Sequence, residues 1–232
     1  MGSGGASGIK YVGGYTDIVD DSDDTVISFG GNLTGGISSS AQEGDLVLVY
    51  FGYSITQGSA YPLASITDYT EYVNISSTDF FISTLIVGYK FMGATPDSSL
   101  TINGGGGTIC SGAVGVQVWR DVDSVTPFDV TRTTNTQSST VEPNPPSITP
   151  ITDGAYVVAG GHGAHSEGNQ TFSSSDLDGF ITQGQTVLTD STIGLGYKKW
   201  VSGSFNPAKF TFSGTDSTSC SNCSTTLALR PA

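Results

Sequence analysis

The sequence predicts an all-β fold, an antiparallel, jelly-roll-like β-sandwich built from two sequence-related halves with pseudo-twofold symmetry. Three observations predict it. Short runs rich in Val, Ile, Thr, Tyr and Phe alternate with glycine-rich turn clusters. No window of eleven or more residues keeps the i, i+3, i+4, i+7 apolar spacing of a helix. The same motifs also recur about 108 residues apart along the chain.

Candidate strands fall at residues 25–29, 45–53, 67–74, 80–91, 99–103 and 113–120, then at 155–161, 179–182, 193–201, 209–213 and 224–230. Leu46 to Phe51 is apolar at every position, which predicts a central strand covered on both faces. In Ala113 to Trp119 the valines fall on every second residue, the period of a strand with one face buried.

Gly88-Tyr89-Lys90 returns as Gly196-Tyr197-Lys198, at an offset of 108, and each is preceded by a Ser-Thr lead-in at Ser83 or Ser191. Asp45 and Asp153 share that offset and each opens an apolar strand. At an offset of 110, Leu100-Thr101-Ile102 matches Phe210-Thr211-Phe212, Cys110-Ser111 matches Cys220-Ser221, and Arg120 matches Arg230. The final strands of the two copies are out of phase, with Val114, Val116 and Val118 set against Leu227 and Leu229. Either a bulge shifts the register or the two faces differ in burial.

These matches divide the chain into a Gly-rich and acidic N-terminal arm (1–24), a first β repeat (25–130), a connector carrying Pro143, Pro145, Pro146 and Pro150 (131–150) and a second repeat (151–232). The connector is expected to be extended and outside any central ladder. The arm, to roughly Tyr15, is expected to order on docking to a neighbouring subunit. Five strands make a thin sandwich, so the repeats are expected to share one core.

Only 12% of residues are charged, against about 25% in typical domains, and the net charge is −13. Lys and Arg are too few for phosphate neutralisation, which argues against nucleic acid and anionic membrane surfaces as partners. Residues 1–8 contain no apolar run of the export-signal kind, so release by lysis is expected.

The chemistry-bearing residues form no complete motif. Cys220 and Cys223, in a CxxC, are a candidate disulfide pair, with Cys110 as an alternative partner. His162 and His165 have HxxH spacing but sit among glycines, so a loop is expected there and no metal site. Asp17, Asp20, Asp21, Asp23 and Asp24, and the pair Asp176 and Asp178, lack the spacing of a calcium loop. No Gly-x-Ser-x-Gly elbow is present, and no catalytic residue, metal ligand or cofactor is assigned. Tyr50, Tyr53, Tyr61, Tyr69, Tyr72 and Trp200 are candidates for a sugar-stacking surface, with core packing as the alternative.

Gly44-Asp45-Leu46-Val47, Val118-Trp119-Arg120-Asp121-Val122-Asp123, Thr126-Pro127-Phe128-Asp129, Pro145-Pro146-Ser147-Ile148 and Leu227-Ala228-Leu229-Arg230-Pro231-Ala232 occur in this order. In that order the chain resembles uncharacterised β-sandwich virion proteins of tailed bacteriophages. The resemblance implies a structural role on the virion surface, as a capsid decoration, head-fibre or tail-fibre protein. It also implies homo-oligomeric assembly, expected here as a trimer, with the major capsid protein or tail components as partners. A glycan-binding receptor module and an extracellular filament or surface-layer subunit are the alternatives. An enzyme is not expected.

Overall fold

The computed structural model describes residues 8–19, 24–56, 64–78, 81–104, 111–185, 190–215 and 220–232. Through the first half run β1 (Lys10–Val19), β2 (Asp24–Ser28), β3 (Leu46–Thr56), β4 (Ser65–Ile66), β5 (Thr70–Ser76), β6 (Phe81–Phe91), β7 (Ser99–Asn103) and β8 (Ser111–Arg120). The second half contributes β9 (Thr133–Ser138), β10 (Tyr156–His165), β11 (Phe172–Ser173), β12 (Asp178–Gln185), β13 (Asp190–Lys199), β14 (Thr211–Phe212) and β15 (Ser221–Leu229). No α-helix occurs among the described residues, so no helix is long and apolar enough to cross a membrane.

Two five-stranded sheets dominate, ordered β1-β8-β3-β6-β5 and β9-β15-β10-β13-β12, with every pairing antiparallel. Taken in this sense, each position in one sheet is filled by the corresponding strand of the other half. Smaller sheets, β2-β7-β4 and β11-β14, complete the fold.

Register fixes the correspondence between the halves residue by residue. Leu46 lies opposite Trp119 and Phe91, and Tyr156 opposite Leu229 and Lys199. β3 and β10, like β8 and β15, are therefore related by 110 residues, whereas β6 and β13 are related by 108. The turns before β3 and β10 agree: Gly44 and Gly154 both adopt left-handed φ, 81° and 85°. Asp45 therefore corresponds to Ala155, and the alignment of Asp45 with Asp153 is corrected by two residues.

Apolar clusters show four layers. Leu46, Leu48, Tyr50, Leu85, Val87 and Trp119 of the first large sheet meet Val158, Ile193, Leu195, Cys223, Leu227 and Leu229 of the second in one shared cluster. The opposite face of the first sheet, with Val47, Val49, Phe51, Val114, Val116 and Val118, packs on Ile27, Ile66, Leu100 and Ile102 of the small sheet. The outer face of the second sheet is covered by Val141, Phe172, Phe210 and Phe212, and by Ile148. The halves thus meet in a central cluster, and each also has an outer cluster of its own.

The phase conflict in the last strands is resolved by burial. β8 and β15 pair with β3 and β10 without a register shift. Val114, Val116 and Val118 correspond to Ser224, Thr226 and Ala228 on the outer face, while Ala113 and Trp119 correspond to Cys223 and Leu229 on the inner one. The second half tolerates a polar residue outside where the connector offers a backbone partner: Thr226 Oγ1 donates to Pro146 O at 2.6 Å.

Two regions depart from expectation. The arm from Lys10 to Val19 is β1, paired along β8 from Lys10↔Arg120 to Val19↔Gly112, so this part is built into the chain's own sheet and not held back for a neighbour. Residues 1–7 lie outside the described residues. The connector opens with β9, an edge strand on β15. Its sequence Thr-Thr-Asn-Thr-Gln-Ser carries no apolar alternation to announce it. The prolines come after β9, and Pro143 O accepts from Phe210 N at 2.9 Å, where a proline needs no N–H of its own.

Across the central layer, small residues face large ones. A Cβ on Gly160 would stand 2.6 Å from the Tyr50 ring. A Cβ on Gly52 would collide with the His162 imidazole, and one on Gly115 with Leu195. Tyr50 and Gly160 are corresponding positions, as are Gly52 and His162. The central strands therefore meet through their own counterparts, one large and one small.

Arginine–carboxylate pairs close the ends of β8 and β15. Arg120 Nε and Nη2 bind Asp45 Oδ1 and Oδ2 at 2.8 and 2.9 Å, and Asp45 also accepts from Gln42 N at 2.8 Å. In the second half Ala155 stands where Asp45 does, and the carboxylate comes from Asp129 instead. It accepts from Arg230 Nε at 3.2 Å, Thr152 N at 3.0 Å, Ile151 N and Thr152 Oγ1. Burial opposes ionisation of Asp129, but these donors outweigh it and lower its pKa.

Gly160→Val should overpack the central layer and cost about 1–3 kcal/mol. In a Tyr50→Val background the same change should cost clearly less, which a double-mutant cycle in urea will measure. Asp129→Ala should cost about 2–4 kcal/mol by stranding two N–H groups, a hydroxyl and Arg230. Asp123→Ala, at an exposed turn, should change the midpoint little.

Candidate functional site

Reactive side chains gather between the large sheets at the end where β10 finishes. His162 is fully buried on β10, against Gly52 of β3 and Ser83 of β6. Ser83 Oγ donates to the His162 carbonyl at 3.0 Å, so at 2.8 Å it accepts from the ring Nδ1–H. This fixes the tautomer and leaves Nε2 as a lone pair, buried with no hydrogen-bond partner among the described residues. The serine proton points away from the imidazole, the reverse of a base-activated nucleophile. Ser77 and Ser221 share a hydrogen bond of 2.6 Å beside it, and both reach Ser83 N, at 2.9 and 3.1 Å. Cys223 Sγ donates to Ser83 O at 3.1 Å. Burial pushes the Cys223 thiol up to about 12. Such a thiol is not a nucleophile at neutral pH.

The related position lacks this pair. Gly52 occupies the counterpart of His162, Ser191 that of Ser83, and the Ser191 hydroxyl is buried with no hydrogen-bond partner among the described residues.

The sequence-predicted candidates are dispersed. His162 and His165 lie within β10, which runs four residues past the expected strand end, so neither sits in a loop. Three residues apart on a strand, they point to opposite faces. His165 packs on Phe212 at 4.8 Å, and its Nε2 lies 2.9 Å from Thr192 Oγ1. Cys220 and Cys223 are not bonded to each other: Cys220 belongs to the outer cluster and Cys223 to the central one. Cys110 lies outside the described residues, as do Asp20, Asp21, Asp23 and Tyr61.

Asp17 accepts from Tyr15 Oη at 2.9 Å and Asp176 from Ala208 N at 3.0 Å, while Asp178 pairs with Lys198 at 3.4 Å. Among the described residues no three His, Cys, Asp or Glu side chains are grouped to hold a metal. Tyr50 and Tyr53 are core residues, and Tyr72 stacks on Phe128 at 3.8 Å under Arg132. They form no open platform.

An open site lies at the other end of the central layer, where sequence reading had marked nothing. Lys10, Tyr11, Gly36, Ile37, Tyr156 and Tyr197 line a cleft of about 410 Å³ between β1, the 35–37 loop and the ends of β10 and β13. The loop lies flat on β1: Ser38 N donates to Val12 O at 3.0 Å, and a side chain on Gly36 would strike the Val12 backbone. Trp119 forms the floor, 5.1 Å from Tyr11, 5.5 Å from Tyr156 and 4.9 Å from Tyr197. Burial, then Asp178 and Tyr156, raises the Tyr197 pKa, so its hydroxyl stays a neutral donor and acceptor. Lys10, the only ionic side chain of the lining among the described residues, is paired with Asp121 at 3.1 Å.

No family model matches the chain, and comparison with curated proteins and with solved structures finds no match.

Two buried imidazoles make stability depend on acid. Burial, and then His165, pushes His162 down to about 3, while burial pushes His165 down to about 4, both from 6.5. Below about 6.5 the unfolded chain takes up two protons that the folded chain refuses. Stability should be full above that pH and fall toward pH 4, by roughly 2–3 kcal/mol per pH unit. His162→Asn should halve that slope in urea titrations at stepped pH. Ser83→Ala should cost about 1–2 kcal/mol, whereas Ser191→Ala should be neutral or stabilising.

Proposed function

We propose that the chain is a structural subunit of a bacteriophage virion, displayed on the capsid or in a head or tail fibre, and that it works by assembly and not by catalysis. The observation that carries this reading is where the reactive groups lie. His162, Ser83 and Cys223 are consumed in holding the two large sheets together, while acidic residues outnumber basic ones by 21 to 8 along the chain. A net charge of −13 favours a surface that keeps copies apart except where they dock.

We further read the halves as two jelly-roll-like sandwiches related by a pseudo-twofold axis between β3 and β10. Three features support this reading. The strand orders β1-β8-β3-β6 and β2-β7-β4 alternate between two sheets as the strands of a double Greek key do. The facing strands exchange consistently when the halves are swapped, with β8 over β13 and β6 over β15. Corresponding positions of β3 and β10 also meet each other. A rigid body of this kind, assembling as a homo-trimer on a particle released by lysis, fits the resemblance carried by residues 44–232.

Quantitative mass spectrometry of purified particles tests the reading. Hundreds of copies per particle are expected for a capsid surface and a handful for a tail fibre. Particles that lack the chain while infected cells contain it would overturn the proposal.

A further inference from the structure

The geometry points to a second property, independent of particle attachment: the cleft beneath Ile37 is a binding site for an uncharged saccharide, seated on the rings of Tyr156 and Tyr197. A pyranose presents an apolar C–H face and a rim of hydroxyls, and the cleft offers the complement of both. Tyr156 and Tyr197 are half-buried, with centroids 6.0 Å apart and planes inclined at 53°, an open V of two ring faces. Tyr11, 4.6 Å from Tyr197, and Trp119 brace these rings from below, so they are held in place before any ligand arrives. Phenol hydroxyls supply donors and acceptors at the rim. The volume of about 410 Å³ lies within the range of about 300–1,000 Å³ typical of small-molecule sites.

Charge selects the class of ligand. Lys10 is already neutralised by Asp121, and no carboxylate lines the cleft among the described residues, so their charges balance there. On a chain with a net charge of −13, an anionic polysaccharide is repelled at long range and finds no unpaired cation on arrival. A cationic ligand finds Asp121 and Asp178 already paired, with Lys10 and Lys198. An uncharged sugar meets neither penalty. The other aromatic cluster of the central layer shows the contrast. Tyr72, Tyr89 and Phe128 fill their own space, with Tyr72 flat on Phe128 at 3.8 Å and 7° and Arg132 over Tyr72 at 4.7 Å. In the cleft, exposed Ile37 borders half-buried Tyr156 and Tyr197, whose centroids stand 6.0 Å apart.

The test uses the purified full chain and ¹H–¹⁵N spectra. The probes are oligosaccharides of glucose, galactose, mannose and N-acetylglucosamine, with glucuronic acid as the charged control. At least one neutral probe should shift the amides of Gly36, Tyr156 and Tyr197. Its affinity should fall about tenfold or more in Tyr197→Ala, the loss expected for a stacked ring. Ile37→Asp should weaken binding similarly. Because Ile37 is 59% exposed, that variant reports on the site even where Tyr197→Ala fails to fold. Glucuronic acid should bind at least about tenfold more weakly than the best neutral probe. The inference is overturned by no neutral probe binding at millimolar concentration, by shifts confined to other surfaces, by undiminished binding in Ile37→Asp, or by equal binding of glucuronic acid.

Discussion

Everything in this molecule depends on two five-stranded sheets that approach closely enough to bury both inner faces in one cluster. Sheets pack about 10 Å apart, which leaves room for one layer of interdigitating side chains and not two. Where β3 crosses β10 the residues that meet are counterparts, so identical side chains would compete for the same space. The conflict is settled by inequality: a tyrosine against a glycine at 50 and 160, a glycine against a histidine at 52 and 162. Strand order and the registers of β3 with β8 and of β10 with β15 are repeated, while the side chains that meet between the halves are not. The stranded Ser191 hydroxyl is a residue of this arrangement, a group whose counterpart found an imidazole while it found none.

Much of this fold was legible in the chain. The all-β class, the central position of Leu46 to Phe51 and the correspondence of Gly88 with Gly196 and of Arg120 with Arg230 follow from alternation and spacing, and the strands carry them. Besides the two-residue β4 and β11, two strands escaped because their signals lie outside apolar periodicity. β9 is wholly polar, and its place is set by hydrogen bonds to β15 and by the prolyl segment that follows. β1 reads as a flexible arm because of Gly13 and Gly14. Those glycines instead let Leu33 and Tyr11 press against the strand. The shift from Asp153 to Ala155 as the partner of Asp45 could not be seen either, because its compensating carboxylate, Asp129, comes from a different segment altogether.

The functional regions were less legible, for a geometric reason. His162 and His165 announce themselves by spacing, yet a strand sends residues three apart to opposite faces, so proximity in sequence became separation in space. The cleft assembles Tyr11, Tyr156 and Tyr197 from three strands and closes with a loop near residue 36. Tyr197 belongs to the most visible repeat in the sequence, but its twin Tyr89 is covered by Phe128 and Tyr72. Only the tertiary arrangement separates the open member from the closed one.

The unequal pairing of 50 with 160 and 52 with 162 also bears on how such a chain can change. A half that met a second copy of itself would set Tyr50 against Tyr50, or face two glycines across a void, losing fit in both directions. Each half is thus shaped to the other at these positions. A change at one of the four costs least with an answering change opposite, so the likeness of the halves is bounded by the contact between them.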